Sequence, residues 1–312
     1  MKSILRNLVT GGAGFLGSHL IDKLMSNGEE VICIDNFISG DKRNINHWLE
    51  HRNFKLIIHD ITKPIKIETD KIWHLACPAS PMIFKKEPIE TAKTSFLGTI
   101  NMLELARATK SKILVASSSA IYGDPTEHPQ TESYYGHVNS FGSRSCYEEG
   151  KRIAETLCFD YQLMHGCDLR IARIFNTYGP RMHNNDGRVI CNFIVQALNN
   201  RPITIFGNGR QTRSFCFVDD LIKGLMLLME SKYNKPMNLG NPSELKILEL
   251  ANLIKSKINP ELPLTYHSLP EDDPFQRKPS IKLANRELGW APEIPLSIGL
   301  EKTINYFKNE LS

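Results

Sequence analysis

The sequence predicts an α/β chain in which a doubly wound parallel sheet carries a smaller C-terminal lobe. Three observations lead there. Short, continuously apolar runs alternate with helix-sized segments through the first half, as strands buried on both faces require. A glycine-rich turn, Thr10-Gly-Gly-Ala-Gly-Phe-Leu-Gly17, joins the first run to a helical pattern. Beyond about residue 176 the texture changes to Pro- and Gly-rich connections with helical patterns between them, the composition of a loop-rich lobe packed over strand ends.

The apolar runs are Ile4 to Val9, Val31 to Ile34, Phe54 to Ile58, Lys71 to Leu75, Ile113 to Ala116 and Leu169 to Ile174. Parallel strands separated by helices in this way form a Rossmann-type nucleotide-binding sheet. The lobe's connections are Tyr178-Gly-Pro-Arg181, Gly207-Asn-Gly-Arg210 and Pro270-Glu-Asp-Asp-Pro274. We therefore expect a nucleotide-binding domain over residues 1–176 and a mainly substrate-binding lobe over 177–312, with some segments returning to the first domain.

A chain of 312 residues, 41% hydrophobic and 23% charged, can bury a substantial core. Its formal charge of +4 is spread without a long basic run, which argues against nucleic acid and suits a phosphorylated ligand. Seven cysteines is an odd number, and Cys33, Cys77, Cys158, Cys191 and Cys216 sit among apolar neighbours without metal-ligand spacing. They read as reduced core residues, with no metal. The chain has no long apolar stretch to act as a signal or membrane span, so the expectation is a soluble, cytoplasmic protein.

Gly12, Gly14 and Gly17 satisfy G-x-G-x-x-G, and Gly11 adds the wider G-x-x-G-x-x-G spacing. Such glycines allow a tight turn, close approach of a pyrophosphate and close packing of helix on strand. An ordinary strand-to-helix turn would read the same. Asp35, however, closes the second run about twenty residues on, where a carboxylate accepts hydrogen bonds from an adenosine ribose and repels the extra phosphate of NADP. That pairing points to NAD. Asp60 ends the third run and reads either as an adenine contact or as a helix cap.

Tyr147-Glu-Glu-Gly-Lys151 places a phenol and an ammonium four residues apart on one helix face. The cation can lower the phenol from its free pKa of about 10 and make it a usable base, a device for taking a hydroxyl proton while hydride leaves for a nicotinamide. Ser117-Ser-Ser119 follows the fifth run at the sheet's ligand-binding edge. The Ser118 hydroxyl there can share the substrate's proton, although a serine at a turn commonly bonds its own backbone. A surface tyrosine and lysine are the plain alternative for the pair; glycine loop, serine strand end and pair in this order favour catalysis.

In that order these features resemble the extended short-chain dehydrogenase/reductase family. Within it, the resemblance to UDP-glucuronate decarboxylases, or UDP-xylose synthases, covers nearly the whole chain. It rests on His74-Leu-Ala-Cys-Pro-Ala-Ser-Pro81, Cys146-Tyr-Glu-Glu-Gly-Lys-Arg152, Arg173-Ile-Phe-Asn-Thr-Tyr-Gly-Pro-Arg181, Asp186-Gly-Arg-Val189, Gln211-Thr-Arg-Ser214 and Asp273-Pro-Phe-Gln-Arg-Lys-Pro279. The resemblance implies a redox-neutral reaction: NAD oxidises the carbon-4 hydroxyl of UDP-glucuronate, with Tyr147 as base and Lys151 tuning it. The β-keto acid then loses carbon dioxide, and reduction after protonation at carbon 5 gives UDP-xylose.

The resemblance also implies that Gly11, Gly14, Phe15, Leu16, Asp35, Asn36, Asp60, Ile61, Leu75, Thr94, Ala116, Tyr147 and Lys151 line NAD. Asn176, Arg188 and Arg213 would hold the UDP, since guanidinium forks suit phosphate oxygens. Lys93 and Asn101 match ligand positions, and Arg277 matches the arginine assigned to decarboxylation and protonation. Relatives form homodimers through the Tyr/Lys helix and the helix near Ala92 to Ala108, so a homodimer is implied. Ile153, Leu157 and Tyr161 recur every four residues, as either an interface or a core stripe would have them.

The chain departs from the family around one pocket. Where decarboxylases read Thr-Ser-Glu-Val-Tyr-Gly, it reads Ser118-Ser-Ala120-Ile-Tyr-Gly123, losing an acid expected in proton transfer. Ile83 and Phe84 replace a polar residue and a tyrosine, and Ser140 stands in place of a proline. Three readings follow. The favoured one is a decarboxylase; the others are a UDP-hexuronate 4-epimerase, whose strand end commonly carries the same alanine, and a catalytically impaired protein that binds NAD and UDP-sugars. Arg277 argues against the second and the retained Tyr147/Lys151 pair against the third, while a 4,6-dehydratase would need acids that Ser119 and Ala120 do not supply.

Overall fold

A computed structural model describes residues 5–269 and 275–311. The connection Pro270-Glu-Asp-Asp-Pro274, the Asp273-Pro274 start of the last motif and the Ile4 end of the first run lie outside them.

The expected runs form six parallel strands, β1 (Arg6–Thr10), β2 (Glu30–Asp35), β3 (Phe54–Ile58), β4 (Lys71–His74), β5 (Lys112–Ser118) and β6 (Leu169–Ile174). They order as β3-β2-β1-β4-β5-β6, and a seventh parallel strand, Pro236–Leu239, adds beyond β6. This is the doubly wound, Rossmann-type sheet. Neighbouring residues alternate between two cores: Leu8, Ile72, Ile113 and Val115 enter one, while Val9, Trp73 and Leu114 enter the other. That alternation is why the strands read as unbroken apolar runs: both faces are covered.

The helix following β1 is α1 (Phe15–Ser26), which packs on one face together with the Val218–Glu230 helix. The other face is covered by the Thr99–Thr109 and Ser145–His165 helices, through Met102, Leu103, Leu105, Ala106 and Cys158. Gly166, at φ +65°, ends the second of these in the left-handed conformation that glycine adopts without penalty. After β6 come short two- and three-stranded sheets and the Val189–Leu198, Ile247–Ile258 and Leu296–Leu311 helices. Their apolar residues, Phe193, Leu250 and Phe307 among them, join the same core as Val9 and Leu24.

The turn between β1 and α1 is possible only because it lacks side chains. A Cβ on Gly17 would sit 2.1 Å from the Gly11 carbonyl oxygen, and Gly11 itself holds φ +69°. We expect Gly17→Ala to force helix and strand apart and to cost about 3 kcal/mol, read as a lower urea midpoint at unchanged slope. A midpoint within error of the parent would show that the turn yields freely.

Candidate active site

The carboxyl ends of the strands gather the expected residues. Gly11 donates from its N–H to Ile34 O at 2.8 Å, and Gly14 to Gly11 O at 3.1 Å, so the loop curls over the end of β2 onto the first turn of α1, where Phe15 and Leu16 lie. Gly17 lets α1 close on this loop, since a Cβ there would meet Gly11 O at 2.1 Å, and the loop is thereby set at a helix N-terminus suited to a pyrophosphate. Asp35 ends β2 buried; its carboxylate accepts from Ala13 N at 2.9 Å and Phe37 N at 2.8 Å. Burial raises its pKa against the pull of those N–H groups, and each oxygen keeps a lone pair for a ribose hydroxyl. These residues fit a dinucleotide.

Around the cradle, Asn36 Oδ1 accepts from Ile38 N at 3.2 Å. Asp60 caps no helix: its Oδ1 accepts from both Thr62 N and Thr62 Oγ1 at 2.9 Å and closes a turn. Asn101 donates to Ile61 O at 2.8 Å, tying the Thr99–Thr109 helix to that loop. Leu75 and Ala116 sit half-buried and buried at the ends of β4 and β5, and Thr94 is half-buried at the start of a wide π-type turn. Lys93 is exposed, pairs with Glu90 at 2.8 Å and lies outside the cavity described below. His74 ties β4 to both sides: Thr10 Oγ1 lies 2.9 Å from Nδ1 and Thr99 Oγ1 3.3 Å from Nε2.

Tyr147 and Lys151 are both buried on the Ser145–His165 helix. Lys151 Nζ donates to Ala116 O at 2.7 Å and lies 5.8 Å from the Tyr147 ring centre. Burial opposes its charge, but Cys77, Tyr147 and Glu155 hold the ammonium above its ordinary pKa. Gly150 makes room for this arrangement: a Cβ there would meet Ser95 Oγ at 2.8 Å. Ser118 accepts from Ala120 N at 3.1 Å, the local cap that a serine at a turn commonly makes, which leaves its own proton to donate. Ala120, 1% exposed, packs with Phe84, Tyr147, Cys77 and Cys146. The Phe84 and Tyr147 rings stack at 5.3 Å, only 7° from parallel.

Beside this wall opens a cavity of about 400 Å³ lined by Asn176, Arg188, Arg213, Arg277 and Arg144 among others. Arg213 and Arg277 are register partners on adjacent parallel strands, Thr212–Ser214 and Gln276–Arg277, both buried. Arg213 Nη1 donates to Thr212 O at 2.8 Å and Phe275 O at 3.1 Å, and Arg277 Nη2 to Gly123 O at 3.0 Å. Two guanidinium groups fixed side by side make a site for a multiply charged anion. Arg188 pairs with Asp186 and lies over the Phe15 ring at 5.6 Å, joining the cavity to the glycine loop. A second, shallower concavity of about 760 Å³ between α1 and the Val218–Glu230 helix holds none of these groups.

Residues 7–240 match the NAD dependent epimerase/dehydratase family. The chain belongs to that family. It is 54% identical over 310 residues to UDP-glucuronic acid decarboxylase 1 of Xenopus tropicalis, covering 99% of this chain and 74% of that protein. It is also 54% identical over 300 residues to UDP-glucuronic acid decarboxylase 6 of Arabidopsis thaliana, covering 96% and 88%. Among solved structures, UDP-glucose 4-epimerase from Thermotoga maritima matches at TM-score 0.90 and 29% identity, over 99% of this chain and 100% of that one. UDP-glucuronic acid 4-epimerase from Bacillus cereus, in complex with UDP-glucuronic acid and NAD, matches at 0.89 and 28%, over 98% and 100%.

Sequence reasoning passed over Arg144, which lines the cavity, and the Cys77 thiol beside Lys151. Arg144 stands three residues before Tyr147, one helical turn away, and that spacing was the available signal.

Burial depresses the His74 pKa to about 3, with the Lys151 charge adding to it. Below pH 6.5 the unfolded chain therefore takes up a proton that the folded chain refuses, so stability falls as pH falls towards 3. At pH 5 this term is about 2 kcal/mol. His74→Gln, which keeps a donor and an acceptor without ionising, should lessen the stability lost between pH 7 and pH 5 by that amount in urea unfolding; an unchanged loss would refute the assignment.

Proposed function

We propose that the protein decarboxylates UDP-glucuronate to UDP-xylose with NAD as its resident cofactor. The observation that carries this reading is one cavity lined by the paired Arg213 and Arg277, by Arg144 at the start of the helix that carries the buried Tyr147/Lys151 pair, and by Arg188, which lies over Phe15 beside the dinucleotide cradle. Identities of 54% to UDP-glucuronic acid decarboxylases over nearly the whole chain support the same substrate.

In this reading Tyr147 takes the proton of the carbon-4 hydroxyl, with Ser118 sharing it. Lys151, anchored on Ala116 O, lends its positive charge to the phenolate. NAD, held by the glycine loop and Asp35, would supply the reversible hydride transfer at carbon 4. With carbon 4 a ketone, the carbon-6 carboxylate is β to a carbonyl; the carbon 5–carbon 6 bond breaks, carbon dioxide leaves, and the electron pair passes into an enolate. Carbon 5 then takes a proton from solvent water, and as hydride returns to carbon 4, Tyr147 gives its proton back to the carbon-4 oxygen. Asn176, Arg188 and Arg213 hold the UDP, with Arg277 at the decarboxylation stage. Ala120 contributes no ionisable group, so the reading assigns proton transfer at carbon 4 to the Tyr147 and Ser118 hydroxyls.

The same reading divides the chain into a cofactor part, residues 1–176, and a mainly substrate-binding part, 177–312, from which Pro236–Leu239 returns to the sheet. It includes a homodimer through the Ser145–His165 helix and the neighbouring helix near Ala92 to Ala108. Ile153, Phe159, Leu163 and Met164 on that helix and Ile89, Phe96 and Leu97 beside it are exposed apolar side chains that such an interface would cover. Leu157 and Tyr161 instead pack against the core. Among the described residues no helix is long and apolar enough to cross a membrane, and a cytoplasmic location belongs to the proposal.

Purified protein given UDP-glucuronate and NAD+ should yield UDP-xylose and carbon dioxide by NMR and mass spectrometry. Tyr147→Phe should lower turnover by about 10²- to 10⁴-fold. UDP-galacturonate of unchanged mass would replace this reading with an epimerase, and binding without turnover would replace it with a non-catalytic one.

A further inference from the structure

Arg144 has no part in the reading so far, and its setting is specific. Its Nε donates to Glu148 Oε1 at 2.9 Å, and Glu148 is buried. Its guanidinium lies 5.6 Å from the centre of the Phe84 ring, which also stacks in parallel with Tyr147. Carboxylate and aromatic ring thus fix the group from two directions. Among the described residues, Nη1 and Nη2 make no hydrogen bond to protein, and Arg144 lines the cavity. A planar fork held by one edge, with its end free towards a cavity, is a preformed receptor for a second carboxylate.

We propose that Arg144 recognises the carbon-6 carboxylate of the nucleotide sugar and so sets specificity for a uronate over a neutral sugar. This deepens, and rests on, the assignment of the cavity to UDP-glucuronate. The placement follows from the helix. Arg144 precedes Tyr147 by three residues, so the two side chains are neighbours about one turn apart. If Tyr147 acts on the hydroxyl of carbon 4, the carboxylate on the adjacent carbon 5 falls on that same stretch of helix. The other arginines have different work. Arg213 and Arg277 lie together on neighbouring strands of the lobe, and Arg188 lies over the Phe15 ring next to the glycine loop, where the reading places the UDP.

Holding the carboxylate also serves the chemistry. The carbon 5–carbon 6 bond breaks readily only when it stands perpendicular to the plane of the carbon-4 ketone, where its electrons overlap the carbonyl. A fork that grips both carboxylate oxygens fixes that angle. The pairing with Glu148 disperses part of the guanidinium charge, which keeps the grip from over-stabilising the group that has to leave.

The test compares two ligands that differ only in the carboxylate. Dissociation constants of UDP-glucuronate and UDP-xylose are measured by calorimetry for the parent protein, Arg144→Gln and Arg144→Lys. Arg144→Gln should weaken UDP-glucuronate by about tenfold or more, the value of a charge-assisted hydrogen bond, and leave UDP-xylose within twofold. Arg144→Lys, which keeps the charge and a partner for Glu148 but loses the fork, should fall between. Equal weakening of both ligands, or no change in either, would overturn the proposal and make Arg144 a structural partner of Glu148 alone. Conversion of UDP-glucuronate by the parent protein, followed in parallel, reports on the decarboxylase reading separately, because the two-ligand ratio is read from binding.

Discussion

The site depends on one buried ammonium. Lys151 lies inside the protein, where a charge is costly unless it is met by polar groups, and the Ala116 carbonyl meets it at 2.7 Å. That carbonyl is free to do so because it lies near the carboxyl end of β5, at the sheet's ligand-binding edge. The lysine thus pins the Ser145–His165 helix to the strand end, and Tyr147 one turn earlier is carried to the same edge. Gly150, between them, lets the adjacent segment approach close enough to seal the pair from water.

A second set of buried polar groups extends this hold into the lobe. Glu155, one turn beyond Lys151, accepts from Ser117 Oγ at 2.5 Å and forms a two-pronged pair with Arg173 on β6. Arg173 donates to Tyr122 OH, which donates to Asn238 Oδ1 at 2.7 Å on the seventh strand. Asn238 Nδ2 in turn reaches Gln130 O and Ser280 O, and Gln130 bonds the backbone of Lys278 next to Arg277. Each member has a partner, the condition under which a buried network rigidifies instead of weakening a core. Helix, sheet and the arginine strand are thereby held in fixed relation, as a site that must align a base with an anion pocket requires.

The sequence revealed the six strands because both sheet faces are covered and each strand carries a mostly apolar run. It hid the seventh, Pro-Met-Asn-Leu, because its buried asparagine serves the network and so breaks the apolar run. At the site, Tyr147, Lys151, Asp35 and the glycines carry their meaning in spacing and were legible. Arg144 was not, because four residues before Glu148 it reads as an ordinary helix-surface ion pair. Only the fold buries that pair against Phe84. The adjacency of Arg213 and Arg277 likewise arises from strand register across a separation of 64 residues, which no local pattern encodes.

The loss of the family acid at Ala120 becomes intelligible beside Phe84. Both belong to one small cluster around Tyr147, and in both places the family's usual side chain is polar while this chain's is not. A carboxylate confined there without a partner would carry a heavy desolvation cost, and a tyrosine hydroxyl would need an acceptor. An alanine and a phenylalanine leave nothing unsatisfied in that cluster. The paired change turns that wall apolar and sets Phe84 flat against Tyr147. It excludes water from one side of the phenol while Lys151, with its own carbonyl anchor, remains in place. The departure therefore falls on the wall of the site, while the buried Tyr147/Lys151 pair and the adjacent Arg213 and Arg277 keep their places.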